Sequence, residues 1–269
     1  MTRMPAVFFG HGSPMIALET NETSRAFAAI AASIPRPRAI LSISAHWETR
    51  ASAVTAMDRP RTIHDFGASF PKALFDMRYP APGDPKLAAR VAELLAPTPV
   101  HLDKEHWGLD HGTWSVLVKA FPRADIPVAQ LSLDVGLTPV QRLDIGRRLA
   151  PLRDEGVLIM GTGNIVHNLP AMDWGDRDRA PYDWSARFLG EIRDAILQDE
   201  PERVADFARL GDDARRAAPS PEHFWPLLYV LGARLPGDQA RLVNDRIEHG
   251  SLGMTSVVLG PAADARAAA

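Results

Sequence analysis

The fold is decided at residues 6–14, where the sequence reads AVFFGHGSP. The apolar run 6–9 predicts a buried β-strand, and His11 follows at its carboxyl end between two glycines. Glycine lets the backbone approach a ligand closely, and ligands of open α/β sheets bind outside the carboxyl ends of the strands. Because a plain turn has no need of an imidazole here, we interpret His11 as a ligand-binding residue.

A second strand repeats this arrangement. The run 39–44, AILSIS, predicts another buried strand, and His46 follows it closely. Two histidines delivered to one edge of a sheet by two strands can meet at one point. A metal site is therefore the leading hypothesis, although for His46 taken alone a satisfied, half-buried histidine is the safer interpretation.

Strand-like and helix-like runs alternate along the chain. The predicted strands cover residues 6–9, 39–44, 53–56, 128–133, 157–161 and 255–259. The predicted helices cover residues 23–33, 85–95, 138–152, 182–198, 202–210 and 221–232. This alternation predicts one α/β domain over residues 1–260, with a central mostly parallel or mixed sheet and helices on both faces, followed by a flexible tail over residues 261–269.

Composition narrows the class of protein. Of the 269 residues, 46% are apolar and 23% are charged, which is typical of a soluble globular protein. The net charge of -3, without any basic block, argues against nucleic acid and membrane as partners. The absence of cysteine excludes disulfides and thiolate metal sites. With no signal peptide and no apolar run near the ~20 residues of a membrane helix, we expect a cytoplasmic monomer or small homo-oligomer.

Three more histidines have informative surroundings. His223, in PEHF, lies near a predicted helix start, whose free N–H groups disfavour an imidazolium and keep the ring neutral for coordination; a surface histidine fits equally well. His167 closes GTGNIVH, a strand–turn–helix corner, and His111 precedes a helix whose predicted N-cap is Thr113. Asp110 either orients the neighbouring imidazole or serves as a cap. Both His111 and His167 suit proton transfer near neutral pH.

A long proline-rich connection spans residues 62–82. Long loops inside compact domains are usually functional, so we expect this one to form a wall or lid of the pocket. Its aromatic side chains with a few polar groups suit a flat phenolic ligand. We assign four residues to substrate binding, three from this loop and one from the first motif: His64, Asp65, Phe66 and Ser13.

Seven short motifs occur in order and make the chain recognisable. They are GHGSP at 10–14, SAHW at 44–47, TIHDF at 62–66, YPAPG at 79–83, LDHG at 109–112, GNIVHN at 163–168 and PEHF at 221–224. Together they resemble the DOPA 4,5-dioxygenase type of extradiol ring-cleavage enzyme. That type belongs to the class III extradiol dioxygenases, which also contain the catalytic subunit of protocatechuate 4,5-dioxygenase.

The resemblance implies a single α/β domain with one non-haem metal, held at the positions of His11, His46 and His223. His167 matches a position assigned either to acid/base work or to the outer coordination of the metal, and His111 matches a histidine that faces substrate. Ferrous iron is implied for catalysis, and zinc can fill such sites. The implied reaction cleaves the ring of an L-DOPA-like catechol with O2 to a muconic semialdehyde.

Two departures from the family pattern stand out. The loop 66–71 is one residue longer than usual. His223 stands where the protocatechuate branch has a carboxylate. Three neutral nitrogens therefore replace the common facial triad of two histidines and one carboxylate. This set leaves more positive charge on the metal, which would raise its affinity for zinc. Two alternatives remain open at this point: a zinc hydrolase that activates water with the same histidines, and a non-catalytic binding protein of the same fold.

Overall fold

The computed structural model describes residues 2–261, in which twelve strands and ten α-helices are present. The strands are β1 (Ala6–Gly10), β2 (Ala39–Thr49), β3 (Ala53–Thr55), β4 (Arg61–Thr62), β5 (His101–Asp103), β6 (Gly108–Leu109), β7 (Val128–Asp134), β8 (Val157–Gly163), β9 (Asp238–Val243), β10 (Ile247–Glu248), β11 (Leu252–Gly253) and β12 (Ser256–Pro261). The helices are α1 (Glu22–Ala32), α2 (Lys72–Asp76), α3 (Pro85–Leu94), α4 (His111–Ala120), α5 (Pro139–Leu149), α6 (Pro151–Asp154), α7 (Asp183–Leu197), α8 (Pro201–Ala205), α9 (Asp212–Ala217) and α10 (Trp225–Gly232). Single 3-10 turns cover Pro14–Ala17, Leu169–Ala171, Phe207–Leu210 and Pro221–His223.

Eight strands form one twisted central sheet in the order β5-β3-β7-β2-β8-β1-β12-β9. The middle of the sheet is parallel, since β2 pairs in parallel with both β7 and β8, and β8 pairs in parallel with β1. The β12 and β9 edge is antiparallel, as is the β3–β7 contact. The predicted mixed sheet in a single α/β domain is therefore confirmed, with the antiparallel edge strand β9 missed by the sequence analysis.

Helices cover both faces of the sheet because its strands are apolar on both sides. Along β1, Ala6 and Phe8 enter one core cluster, whereas Val7 and Phe9 enter the other. The first cluster is completed by α3, α5, α7 and α10, and the second by α1 and α4. Such two-sided burial explains why the central strands read as continuous apolar runs rather than as alternating patterns.

Several helix boundaries in the structure differ from the predicted ones, each for a local reason. The helix predicted over 138–152 begins at its Thr138–Gln141 capping box as expected, but divides at Pro151, which has no N–H to continue α5. The helix predicted over 202–210 is α8 followed by a 3-10 turn, and the loop 62–82 contains α2. The N-cap of α4 is Asp110 and not Thr113. The predicted tail lies outside the described residues from position 262 onward.

The largest difference concerns β2, which runs to Thr49 and not to residue 44. Ile43 of β2 pairs with Leu131 of β7, and the next pair is Glu48 with Leu133. The chain therefore advances five residues along β2 but only two along β7. The extra residues form an irregular, bulged segment that contains His46. Bulges re-aim side chains next to functional sites, which is their effect on this histidine.

Arg153 and Asp238 form a buried ion pair beneath the amino-terminal end of the sheet. Their side chains are 0% and 2% exposed, and Arg153 also donates to the carbonyl oxygen of Met4 at 2.7 Å. Substituting Arg153→Met leaves the buried carboxylate of Asp238 without a charged partner, so we expect a loss of about 3–5 kcal/mol in the free energy of unfolding, measured by urea denaturation.

The control for this variant is Arg3→Met, which breaks the exposed pair with Asp154 and is expected to leave the urea midpoint unchanged. The double substitution Arg153→Met with Asp238→Leu removes both buried charges and is expected to recover much of the lost stability. If Arg153→Met unfolded at the same urea concentration as Arg3→Met, the buried pair would have no net role in stability.

Among the described residues, no helix combines the length and the apolar character that a membrane crossing requires.

Candidate metal centre and active site

Strand register brings His11 and His46 together. In the parallel sheet, Thr162 of β8 lies beside Phe9 of β1 on one side and beside Ser44 of β2 on the other. His11 and His46 each follow two residues later, so they leave the same edge of the sheet on either side of the end of β8. Their rings meet over that end, with the two Nε2 atoms 3.3 Å apart.

His223 reaches the same point from the 3-10 turn before α10. Its carbonyl oxygen accepts a hydrogen bond from the backbone N–H of Asn164 at 2.9 Å. It also packs directly on Gly163, where a Cβ atom would stand 2.1 Å from that oxygen. Only glycine allows this approach, which explains the glycine that ends β8. The turn is thereby fixed at the carboxyl end of the sheet.

One ring nitrogen from each of His11, His46 and His223 lies within 4.8 Å of the others. Nitrogen ligands bind a transition metal at about 2.0–2.1 Å, so two neighbouring ligands on one ion are roughly 2.9–3.4 Å apart. The 3.3 Å separation of the His11 and His46 nitrogens falls in that range. The donor set therefore fits a single transition-metal ion.

The three rings are held in the neutral form that coordinates metal. Burial, followed by the charge of neighbouring histidines, lowers the pKa of His11, His46 and His223 well below the usual value. For His223 the dominant cause is burial and not the field of a helix start, which was the reason expected from sequence. Neutral imidazole is the form that binds metal.

Asp65 connects two histidines of the site. Its Oδ2 lies 3.0 Å from Nδ1 of His111 and 3.5 Å from Nδ1 of His46, and its Oδ1 accepts from the backbone N–H of His111 at 2.8 Å. The His111 Nδ1 is off the line of a straight hydrogen bond, so Asp65 acts on this ring mainly through its charge. Burial raises the pKa of Asp65, but its contacts with the side chain and backbone of His111, together with the nearby His46, outweigh this effect and bring the pKa below its usual value.

His167 lies on the other side of the cluster. Its ring stacks on that of His223 at 3.5 Å, with the planes 7° from parallel. Glu222 contacts Nδ1 of His223 at 3.0 Å, and one nitrogen of His167 belongs to the same group of close ligand atoms. Burial lowers the pKa of His167 to about 4, and the charge of Glu222 opposes this shift only in part.

The loop 62–82 supplies an aromatic wall next to His111. Phe66 meets the ring of His111 edge-on at 5.5 Å, and its other neighbours are Phe70 and Phe75 at 5.3 and 5.0 Å. His64 stands behind Phe66 at 5.7 Å, with Nε2 3.1 Å from the carbonyl oxygen of Met77. The structure thus brings Phe66 to the histidine cluster and places His64 one layer further out.

Ser13, unlike the other predicted substrate-binding residues, has a local structural role. It is exposed, and its Oγ accepts from the backbone N–H of Met15 at 3.3 Å as the cap of the first 3-10 turn. Leu252 and Met254 lie next to residues of the histidine motifs instead, since the backbone of Leu252 is paired with that of His167 and Met254 lies close to Gly12. Neither residue was predicted, because both come from a short hairpin far away in sequence.

Asp110 caps α4, which settles the two roles left open for it. Its Oδ1 accepts from the backbone N–H of Thr113 at 3.1 Å, and the buried side chain of Gln130 donates to Oδ2. Burial, with the charge of Asp65 next, raises the pKa of Asp110 to about 6. The cap fixes the first residue of α4, which is His111.

Two further residues touch the cluster and were not singled out from sequence. Glu222 contacts the outer nitrogen of His223. Thr162 is fully buried, and its Oγ1 is 2.8 Å from Nδ1 of His11. The GTG run carried a weak signal for Thr162, because a polar residue between glycines at the end of an apolar strand points to a site and not to the core.

Comparison with known proteins agrees with this geometry. Residues 5–260 match the family described as the catalytic LigB subunit of aromatic ring-opening dioxygenase. The chain is 48% identical to the 4,5-DOPA dioxygenase extradiol of Escherichia coli K12, over 96% of each chain. It is 38% identical to the protein of the same name from Beta vulgaris, over 90% of this chain and 91% of the relative.

A solved structure extends the likeness to the fold. The crystal structure of an uncharacterized protein from Escherichia coli K12 superposes with a TM-score of 0.83 at 42% identity, covering 96% of this chain and all of the other. These relatives are dioxygenases or share their fold, so the hydrolase and binding-protein alternatives are set aside. The chain is an oxidoreductase of the class III extradiol family, the aromatic ring-opening dioxygenases to which the LigB catalytic subunit belongs.

Proposed function

We propose that this enzyme cleaves the ring of a catechol of the L-DOPA type with O2, using one ferrous ion, to give a muconic semialdehyde. The observation that carries the proposal is the convergence of three neutral histidines, two of them 3.3 Å apart, beside a fourth histidine backed by a carboxylate. The names of the relatives supply the substrate class, since proteins 48% and 38% identical are called 4,5-DOPA dioxygenases.

His11, His46 and His223 are the proposed metal ligands. When bound, ferrous iron would supply the point at which catechol and O2 meet and the path for electrons between them. Zinc suits the same nitrogen ligands but has no redox chemistry, so it would occupy the site without supporting the reaction.

His167 is proposed to act on protons and not as a ligand. Histidine coordinates through a lone pair in the plane of its ring. Because the rings of His167 and His223 are nearly parallel and stacked 3.5 Å apart, their lone pairs lie in separate planes, so His167 would not join His223 in holding the ion. A pKa of about 4 keeps His167 neutral at physiological pH and makes its protonated form a strong acid, so His167 would pass on rapidly any proton that it accepts during the reaction.

His111 is the proposed base for the catechol hydroxyl. Asp65 faces its Nδ1 at 3.0 Å, so the ring proton belongs on Nδ1 and the opposite nitrogen is free to accept a proton. The charge of Asp65 also stabilises the imidazolium that forms. Asp65 is therefore a positioning residue in this proposal, in place of the substrate-binding role expected from sequence.

Phe66 is the proposed contact for the flat ring of the substrate. It stands edge-on to His111 at 5.5 Å and continues into an aromatic cluster, a surface that favours a planar phenol. Ala68 and Ser69, which include the apparent extra residue of this loop, are exposed. We place them away from the ring and expect them to affect only the outer part of a substrate.

The carboxylates of Asp65 and Glu222 change the charge balance expected from three histidines. Both contact the outer nitrogen of a proposed ligand, His46 at 3.5 Å and His223 at 3.0 Å. Their two negative charges would partly balance the charge of a divalent ion held by these histidines, in place of the direct carboxylate ligand of the protocatechuate branch. The three-histidine set is thus not more positive overall, and we no longer expect a special preference for zinc.

Oxygen uptake tests this function. Protein stripped of metal, reloaded anaerobically with Fe(II) and mixed with L-DOPA in air is expected to consume one O2 per catechol and to form a yellow semialdehyde. Zinc-loaded protein is the matched control and is expected to be inactive, because zinc cannot change oxidation state. Equal activity of the zinc form would refute the proposal, and so would iron-loaded protein inactive towards a panel of substituted catechols.

A further inference from the structure

Thr162 occupies a position between His11 and the start of α4. Its hydroxyl oxygen is 2.8 Å from Nδ1 of His11 and 2.7 Å from the carbonyl oxygen of Gly112. Thr162 is completely buried and lies within β8, so the position of its hydroxyl is set by the sheet. It is a third partner for the outer nitrogens of the cluster, and unlike Asp65 and Glu222 it carries no charge.

The number of available protons decides which group donates in each of these two hydrogen bonds. A carbonyl oxygen can only accept, and a threonine hydroxyl has one proton. The hydroxyl of Thr162 must therefore donate to Gly112, so in its contact with His11 it can only accept. The proton of the neutral His11 ring must then be on Nδ1, and Nε2 carries a lone pair that faces Nε2 of His46 at 3.3 Å.

We propose that Thr162 is a positioning residue that holds His11 in the Nδ1–H tautomer, the form whose Nε2 binds metal. This inference rests on the proposed function only in naming the ion; the tautomer itself follows from the hydrogen bonds. In the opposite tautomer, Nε2–H of His11 would donate to His46, and one internal hydrogen bond would occupy both nitrogens. Thr162 excludes that closed arrangement.

The same hydroxyl also fixes the distance between the metal site and the base. Gly112 follows His111 directly, and a Cβ atom at Gly112 would stand 2.6 Å from Ser44 Oγ and 2.7 Å from Cδ2 of His46. The first turn of α4 is therefore packed against a proposed ligand and tied to Thr162 by its carbonyl oxygen. Thr162 thus joins the ends of β1 and β8 to the helix that carries His111.

The test compares Thr162→Val, which keeps the shape and removes the hydroxyl, with Thr162→Ser, which keeps the hydroxyl. Affinity for Zn(II) is measured by competition with a chelator, so no catalytic activity is needed. We expect Thr162→Val to bind the ion about 10–100-fold more weakly, in line with the usual effect of losing a partner of a ligating histidine. Thr162→Ser is expected to restore the affinity of the unchanged protein.

Nitrogen-15 NMR of histidine-labelled, metal-free protein reads the tautomer directly. We expect Nδ1–H at His11 in the unchanged protein and in Thr162→Ser, and Nε2–H in Thr162→Val. Nε2–H at His11 in the unchanged protein would overturn the proposal even if Thr162→Val did not fold. A valine variant that folds with unchanged affinity and tautomer would overturn it as well. If the unchanged protein bound no metal, the proposed function would fail while the NMR result would still decide the role of Thr162.

Discussion

Replacing His11 with alanine is expected to abolish stoichiometric metal binding and, with it, ring cleavage. His11 supplies one of the two nitrogens that stand 3.3 Å apart, and it comes from the rigid end of a buried parallel strand. Losing a partner of a ligating histidine costs about 10–100-fold in metal affinity, so losing the ligand itself should cost more than about 100-fold. Metal content after dialysis, measured by elemental analysis, checks this result.

The fold should survive this substitution, because the cluster lies at the edge of a large core and does not replace it. The matched control is His101→Ala, an exposed histidine in β5 on the far edge of the sheet, which should keep one ion per chain. Near-UV circular dichroism of both variants reports on packing. A His11→Ala protein that retained a full equivalent of metal would remove His11 from the ligand set and leave the site without its best-defined pair.

The second large effect is expected for His111→Ala, which should lower turnover about 10²–10⁴-fold with metal still bound. Its ring lies 3.9 Å from that of His46 but is backed by Asp65, so its removal takes away a base and not a proposed ligand. Single-turnover kinetics with the iron-loaded variant separate the chemical step from product release. Added imidazole should recover part of the rate by entering the space left by the ring.

Asp65→Asn serves as the comparison for His111→Ala, because it keeps the shape of the partner and removes its charge. We expect a smaller loss of turnover than in His111→Ala, because the imidazolium formed during the reaction loses its counter-ion while the ring that accepts the proton remains. Two outcomes would contradict this role of His111. Loss of metal in His111→Ala would make this histidine part of the ligand set, and unchanged turnover would leave His167 as the base.

The sequence by itself determined the class of fold and the identity of the main chemical groups. Long apolar runs such as those of β1 and β8 are sufficient to specify buried strands, because both faces of the central sheet are covered. A histidine directly after a strand end already indicated a site, as His11 did, since the position of a strand end is a local property of the chain. Seven ordered motifs then indicated the family, which the comparisons confirm.

Only the tertiary structure shows which residues contact the outer nitrogens of these histidines. Thr162, Asp65 and Glu222 face the outer nitrogens of His11, His46 and His223, and two of these three contacts join residues far apart in the chain. The bulge that aims His46 arises from the pairing of β2 with β7, and no local pattern encodes such a register shift. The stacking of His167 on His223 likewise depends on packing between distant segments. Local sequence specifies which side chains are present, whereas the tautomer and orientation of each ring depend on neighbours that only the folded chain brings together.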